Sequence, residues 1–585
     1  MSGGRPSFWR PAYFYSLERV KGRFAFRCSP ISPTLMFDMA SPRTLTQRLF
    51  SAMEPWVFLP AAALVVAFVL VTALYTDLTR SLFQSLQQGI VETFGWFYVL
   101  TASVLLGVVI WLLFSRFGRI RLGGDEARPE FGYLTWFSML MSAGMGIGIV
   151  FFGVAEPLLH YLNPPHGEGE TEAAVREAMR YTFYHWGLHP WAIYSALALP
   201  LAYFHFRHGL PLAPRSLLYP LLGERIRGPI GHAVDVLCTV GTLFGVATSL
   251  GLGAIQVNAG FHRLFDMPQG VEAQLMLVAG ITALATISVV SGLHKGIRRL
   301  SEFNIGLAVV IFGFVLLAGP TVFILELFID SLGYYLQKFP FTSLRIDPGA
   351  KGDWQAQWTL FYWSWWISWA PFVGVFVARI SKGRTIREFI ATTLVVPSLG
   401  GFLWFSALGG TGLHLELFGP GGIAETVQQN EPLALFAVLD HLPWTELMWS
   451  LATLLVIIFF VTSSDSGSLV DDMVTSGGHP NPPRAQRLFW ALAEGTVAAV
   501  LLYAGGLTAL RTASLTTGLP MAVFILVAAY GLVRALRVDY ASRGVPSPEA
   551  LTRGAVPPVP GLDLNRGGED ESAPDDKGNE ETPER

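Results

Sequence analysis

The chain has 585 residues, of which 52% are hydrophobic and 14% charged, with a formal net charge of −3. Soluble proteins carry about a quarter charged residues, so the composition excludes an ordinary soluble globular protein, and the small net charge gives no sign of nucleic-acid binding. The two cysteines, Cys28 and Cys238, match neither a metal site nor a disulfide framework and read as inert.

Residues 1–55 form an N-terminal segment rich in arginine (Arg5, Arg10, Arg19, Arg23, Arg27), without the apolar core of a cleavable signal peptide. It reads either as a cytoplasmic tail or as translation from an upstream start codon, since Met36, Met39 and Met53 follow. Apolar runs of bilayer-crossing length, about 20 residues each, then recur at 57–76, 95–114, 135–161, 181–205, 232–260, 275–292, 303–330, 355–380, 390–413, 447–470, 488–506 and 515–536. The expectation is an all-α polytopic membrane protein with about twelve transmembrane helices between residues 56 and 538.

Lysine and arginine accumulate on the cytoplasmic side of membrane proteins. Here they gather in loops 115–134 (Arg116, Arg119, Arg121, Arg128), 206–230 (Arg207, Arg215, Arg225, Arg227), near 295 (Lys295, Arg298, Arg299) and 379–388 (Arg379, Lys382, Arg384, Arg387). Acidic or neutral loops alternate with them, which places both termini in the cytoplasm of a plasma membrane. A stretch at 331–346 is too short and polar to span and reads as an amphipathic helix in the outer interface. Residues 539–585 are rich in Pro, Gly, Asp and Glu and read as a disordered acidic cytoplasmic tail.

Four constellations carry chemistry. In the third span, Gly144-Met145-Gly146-Ile147-Gly148 invites local unwinding, because glycine carries a backbone-entropy penalty in a helix. Carbonyls freed inside a membrane persist only where they line a cavity and can meet a cation or substrate. Close helix packing through the Gly144–Gly148 pair is the competing reading. The second constellation is aromatic: Trp365, Trp366 and Trp369 fall near the centre of span eight, and Trp186, Trp191 and Tyr194 stand in span four. An interfacial aromatic belt accounts for Trp186 near a span end, but an indole N–H at mid-bilayer needs a partner or a wet cavity. A cage of π faces suits a quaternary ammonium, which has no N–H to donate.

The third constellation is Phe459-Phe460-Val461-Thr462-Ser463-Ser464-Asp465-Ser466, whose hard oxygen ligands suit Na⁺. Asp465, an ionisable group within a span, is a functional candidate by default, whereas Ser and Thr hydroxyls often bond back to their own helix. The fourth, Ala378-Arg379 to Glu388, reads mainly as positive-inside charge, with gating as a minor role for Arg379. No HExxH, GxSxG or metal-ligand cluster is present, which speaks against an intramembrane enzyme.

Taken together these segments resemble the betaine/carnitine/choline transporter (BCCT) family from about Trp56 to Val538. The resemblance is carried by Trp358 to Gly374, continuing through Ala378 to Phe389, with Met145-Gly-Ile-Gly148, Gly153-Val-Ala-Glu-Pro157 and Thr462-Ser-Ser-Asp-Ser466 in matching order. It implies a LeuT-type 5+5 inverted repeat behind two N-terminal helices, and a homotrimer in membrane lipid. It implies a substrate cage of Trp186, Trp191, Tyr194, Trp365, Trp366 and Trp369, with Gly144, Met145, Gly146 and Gly148 offering backbone to the substrate. One sodium site would use Ser142, Met145, Phe459, Thr462 and Ser463, and a second would lie near Thr242 and Phe372. Gly148 in place of an acid and Asn304 in place of an arginine favour sodium over exchange. Val246, one turn after Thr242 where sodium-coupled relatives resemble a second threonine, weakens the second site.

The reading is sodium-coupled import of glycine betaine or a related quaternary-ammonium osmolyte, without a cofactor beyond Na⁺ as coupling ion. The rivals are a proton-coupled or exchange-type choline or carnitine carrier, and an osmosensory membrane receptor without transport.

Overall fold

A computed structural model describes residues 13–20, 23–30, 53–144, 146–291, 294–346, 353–479 and 482–542. The chain divides into two units, Met1–Ala52 and Met53–Arg585. In the first, β1 (Tyr13–Val20) pairs antiparallel with β2 (Arg23–Pro30), Tyr13 opposite Pro30 and Val20 opposite Arg23. This hairpin lies within the segment expected to be a simple tail. From residue 543 onward the expected disordered tail lies outside the described residues.

The second unit is built from helices: α1 (Pro55–Leu74), α2 (Thr76–Phe114), α3 (Tyr133–Gly144), α4 (Ile147–Leu162), α5 (Glu172–Trp186), α6 (Leu188–His208), α7 (Pro229–Phe265), α8 (Val271–Ser291), α9 (His294–Ala318), α10 (Thr321–Ser343), α11 (Phe361–Ile380), α12 (Ile386–Phe418), α13 (Thr445–Thr475) and α14 (Arg484–Ser542). Their limits follow from local chemistry. Pro229 opens α7 at the position where a missing N–H costs nothing. Gly209, at φ 67°, closes α6 in the left-handed conformation that glycine adopts freely. Thr385 and Glu388 cap α12 reciprocally, the Glu388 N–H donating to the Thr385 hydroxyl at 3.1 Å and the Thr385 N–H to the Glu388 carboxylate at 2.8 Å.

Among the described residues, nine helices are long and apolar enough to cross a bilayer. The difference from the twelve expected spans has three sources. The span at 135–161 is two helices, α3 and α4, because the chain leaves helical geometry at Gly146 (φ −126°, ψ −155°). The span at 181–205 is likewise broken between α5 and α6 at Gly187, where a Cβ would stand 2.5 Å from the Phe183 carbonyl and 2.6 Å from the Phe402 ring. The two last spans run together as α14, with a kink at Gly505–Gly506. The seventh span also ends early: Gly319–Pro320 stops α9, and residues 321–343 form a separate 23-residue helix, α10, rather than a short interfacial one. At the other end α14 continues to Ser542, a few residues past the expected limit, and Asp539 within it accepts from Tyr203 at 3.1 Å.

The buried core runs through α4 to α7 and α11 to α14, while α8 and α9 keep much of their apolar surface exposed. Three of the basic loops meet at one end. Leu122 N–H donates to Arg384 O (2.8 Å), Gly383 N–H to Leu122 O (2.7 Å) and Ile386 N–H to Ile120 O (2.9 Å), so loops 115–134 and 379–388 pair through their backbones. Arg207 joins from the third loop, donating to Gly123 O at 2.8 Å and pairing with Asp125 and Asp539 at 3.1 and 2.8 Å. The side chains near residue 295 lie outside the described residues.

The turn that makes this pairing possible tests the arrangement. Gly383 has φ 79°, and a Cβ there would sit 2.2 Å from the Arg128 carbonyl. Gly383→Ala should destabilise the purified protein by about 1–3 kcal/mol, read as a lower apparent Tm. An unchanged Tm would contradict the tight approach of the two loops.

Candidate functional site

The breaks at Gly146 and Gly187 place two helix ends deep inside the unit. Gly146 is the N-terminal cap of α4, and Trp186 is the last residue of α5. Backbone released in such a place must find other partners, and Trp404 Nε1 donates to the Ile149 carbonyl in the first turn of α4 at 2.8 Å. Against these ends stands α11. It is preceded by a π-helical turn, Ala356–Leu360, of a kind frequent at functional sites.

The structure brings the six expected aromatic residues together. Trp365 and Trp366 stack with ring centres 4.7 Å apart and 14° between planes. Trp186 meets Trp366 edge-on at 4.9 Å, and Tyr194 meets it at 6.3 Å. Trp191 adjoins Tyr194 at 5.5 Å, and Trp369 adjoins Trp365 at 6.5 Å. All six are between 1% and 6% exposed. Gly148 fits against them because it has no side chain: a Cβ there would lie 2.6 Å from Trp365 Cη2 and 3.0 Å from Trp186 Cη2.

The indole N–H groups divide into two kinds. Trp186 donates to the Glu156 carboxylate at 2.7 Å, Trp365 to the Gly245 carbonyl at 3.3 Å and Trp366 to the His185 carbonyl at 3.0 Å. Trp369 Nε1 and the Tyr194 hydroxyl, both buried, have no partner among the described residues. The cage therefore holds two unspent polar groups beside its π faces.

Behind the cage lies a group that the sequence reading quoted without a role. Glu156 is fully buried on α4, 0% exposed. Its Oε1 meets His185 Nδ1 at 2.7 Å and His160 Nε2 at 3.2 Å, and its Oε2 accepts from Trp186 at 2.7 Å and from the Tyr362 hydroxyl at 2.6 Å. His185 Nε2 meets Thr359 Oγ1, on the π turn, at 2.9 Å. The signal was available, since an ionisable residue within a span is a functional candidate by default.

Glu156, His160 and His185 also correct the expectation that no metal-ligand cluster is present, because their ligand atoms lie within 4.8 Å of one another. The carboxylate is nonetheless filled by hydrogen-bond donors on both oxygens, so a resident metal would have to displace the histidine protons that now bind it.

The expected sodium ligands are placed in part. Ser463 on α13 faces the helix break, its Oγ 3.9 Å from where a Cβ of Gly146 would stand. The Thr462 hydroxyl bonds back to Ile458 O and Phe459 O at 2.9 and 3.3 Å, the helix-internal arrangement weighed above, which leaves its lone pairs unspent. Phe459 is buried on the same helix. Met145 and the side chains of Ser142 and Gly144 lie outside the described residues. Thr242 on α7 and Phe372 on α11 are both buried on neighbouring helices, Phe372 against Trp369 at 5.2 Å. Val246 packs beside Gly467, against which Glu494 Oε1 also lies. Asp465 is buried on α13, as are Asp471 and Asp472 on the same helix and Glu494 on α14. Asn304 is buried on α9. Arg379 stands apart from all of these at the basic end, 53% exposed and 3.3 Å from Glu130.

The sequence matches the model of the betaine/carnitine/choline family of transporters over residues 56–541. It is 46% identical over 498 residues to an uncharacterized transporter of Mycobacterium tuberculosis, covering 84% of each chain. It is 44% identical over 506 residues to the glycine betaine transporter OpuD of Bacillus subtilis, covering 86% of this chain and 98% of that one. It is 40% identical over 492 residues to the high-affinity choline transport protein of Escherichia coli, covering 83% and 72%.

Two substitutions probe the geometry without reference to a ligand. Gly148→Ala should displace the Trp365 or Trp186 ring and change the near-ultraviolet circular dichroism while the far-ultraviolet helical signal persists; an unchanged aromatic signal would mean that the rings do not crowd Gly148. Arg379→Ala removes a half-exposed ion pair and should shift stability by less than about 1 kcal/mol, as followed by thermal unfolding.

Proposed function

This chain belongs to the betaine/carnitine/choline transporter family, and from that premise we propose that it imports glycine betaine or a related quaternary-ammonium osmolyte by sodium-coupled alternating access. The observation that carries the reading is the cluster of six buried aromatic rings on α5, α6 and α11, gathered where two helices break. A trimethylammonium group offers no hydrogen-bond donor and is held by the faces of such rings, each desolvated contact worth roughly 2 kcal/mol. The polar end of the ligand has partners as well. The free Trp369 N–H and Tyr194 hydroxyl suit a carboxylate, and the N-terminus of α4 behind Gly146 and Gly148 carries the positive end of a helix dipole.

The stacked Trp365 and Trp366 leave no room between them, so the ligand enters by parting the rings, which fits a carrier that opens to each side in turn. Sodium bound at the break, through backbone near Ser142 and Met145 with Phe459, Thr462 and Ser463, would hold α4 against α13 and favour the state open to the outside. Ser463 facing Gly146 supports that placement. In the same reading the chain has twelve spans in a LeuT-type inverted repeat behind two N-terminal helices. It assembles as a homotrimer in the plasma membrane, with the basic end and both termini in the cytoplasm.

One observation favours a second reading of the coupling. Val246, one turn after Thr242 on α7, stands beside Gly467, against which Glu494 Oε1 also lies. A carboxylate there suits a proton, and the cargo of such a carrier would be choline or carnitine.

Reconstituted protein should accumulate radiolabelled glycine betaine under an inward sodium gradient and lose that accumulation when potassium replaces sodium. Uptake indifferent to sodium would remove the sodium sites and leave proton coupling or exchange. Trp366→Ala should raise KM for the substrate at least about tenfold, the loss of one desolvated ring contact. An unchanged KM would mean that the ligand sits elsewhere.

A further inference from the structure

The cage has π faces but no acidic side chain among its six members. A cation taken out of water into such a place needs a compensating charge, because an uncompensated one in a low-dielectric interior is costly. Glu156 lies one indole behind the cage, and its hydrogen bonds show its charge state. Four donors reach its two oxygens: His185 and His160 on Oε1, Trp186 and Tyr362 on Oε2. Four is the full acceptor capacity of an ionised carboxylate, and a protonated one would have to surrender a lone pair to its own hydrogen.

Two of the donors, the Trp186 indole and the Tyr362 hydroxyl, carry no charge. His185 meets Glu156 through Nδ1, and its Nε2 lies 2.9 Å from the Thr359 hydroxyl, a group that can donate to it. His160 approaches through Nε2, and its buried Nδ1 has no partner among the described residues. Arg511 lies over the Trp358 and Phe361 rings at 5.7 and 5.1 Å and is paired with Glu431 at 3.5 Å. On its Oε2 side, which faces the cage through Trp186, the Glu156 charge is thus held by hydrogen bonds from uncharged groups that do not cancel it.

We propose that Glu156 is the counter-charge of the aromatic cage, acting on the bound ammonium through the Trp186 indole. The inference rests on the reading of the cage as a quaternary-ammonium site. An indole whose N–H is given to a carboxylate carries more electron density on its face, and that face is what the cation meets. The carboxylate also contributes its own field, little screened where water is excluded. Glu156 does not touch the ligand, so it is a positioning residue. Its oxygen fixes the Trp186 ring, and its neighbour His185 fixes Trp366 through the backbone carbonyl. The arrangement selects for positive charge rather than for shape alone.

The test separates charge from shape. Purified full-length protein is titrated with glycine betaine and choline, and with the tert-butyl isostere of each, in which carbon replaces the quaternary nitrogen. Binding is followed by tryptophan fluorescence. Wild type should prefer each ammonium ligand to its isostere. Glu156→Gln should shrink that preference about tenfold, the order of one desolvated cation–π contact, while binding of the isosteres is kept or improved. Glu156→Asp, which retains the charge, should recover most of the preference. Trp186→Phe keeps an aromatic ring but not the N–H; it should shrink the preference too, and it decides the question if Glu156→Gln does not fold. Equal weakening of ligand and isostere, or no change in either, overturns the inference by assigning Glu156 to packing. Wild type that binds none of the four overturns the cage reading itself, and the inference with it.

Discussion

Four hydrogen-bond donors from three helices converge on one carboxylate, and the rest of the site is arranged around that convergence. Glu156 comes from α4, the histidine and tryptophan beside it from the end of α5, and the tyrosine from α11. Each bond fixes a ring that would otherwise be free to turn. An ionised carboxylate buried this deeply and left unpaired would cost about 3–5 kcal/mol. The three helices are therefore obliged to meet at this point, and their meeting places Trp186 against Trp366 and against Gly148.

How far the sequence reveals this depends on the kind of signal. The break in the third span was legible from Gly144 to Gly148, because glycine spacing reports backbone entropy without help from the rest of the fold. The break at Gly187 was not, since a single glycine in a helix is tolerated and only the approach of the Phe402 ring and the Phe183 carbonyl makes it obligatory. The end of α9 at Gly319–Pro320 obeys a rule visible in the sequence, but hydropathy runs straight across it. The tryptophans of α11 stood out by their depth in a span. That Trp365 and Trp366 stack on each other did not, because neighbouring residues on a helix do not ordinarily face one another. Glu156 is a single acid in an apolar run, and its partners become visible only when α5 and α11 pack against α4.

The division of labour among the indoles is a second outcome that side-chain identity alone does not convey. Three of the four N–H groups around the stack are committed to Glu156, Gly245 and His185, and they hold the rings rigid. The fourth, on Trp369, is left over together with the Tyr194 hydroxyl. A rigid wall with a few unspent donors binds with little entropy to lose. The same wall is closed, so the rigidity that favours binding must be relaxed for passage, and the glycines at 146, 148 and 187 lie at the joints where that can happen.

The backbone pairing between loops 115–134 and 379–388 has a consequence for how the protein is made. Arg121 and Gly383, which share a hydrogen bond there, are 262 positions apart in the chain. During synthesis the first of these loops emerges long before its partner exists. Until α11 has been threaded and the turn at Gly383 has left the ribosome, that end of the nascent molecule has no lock. Closure is therefore a late event of biogenesis, and a chain that stops short of it carries a complete α3–α7 segment with its basic end unfastened.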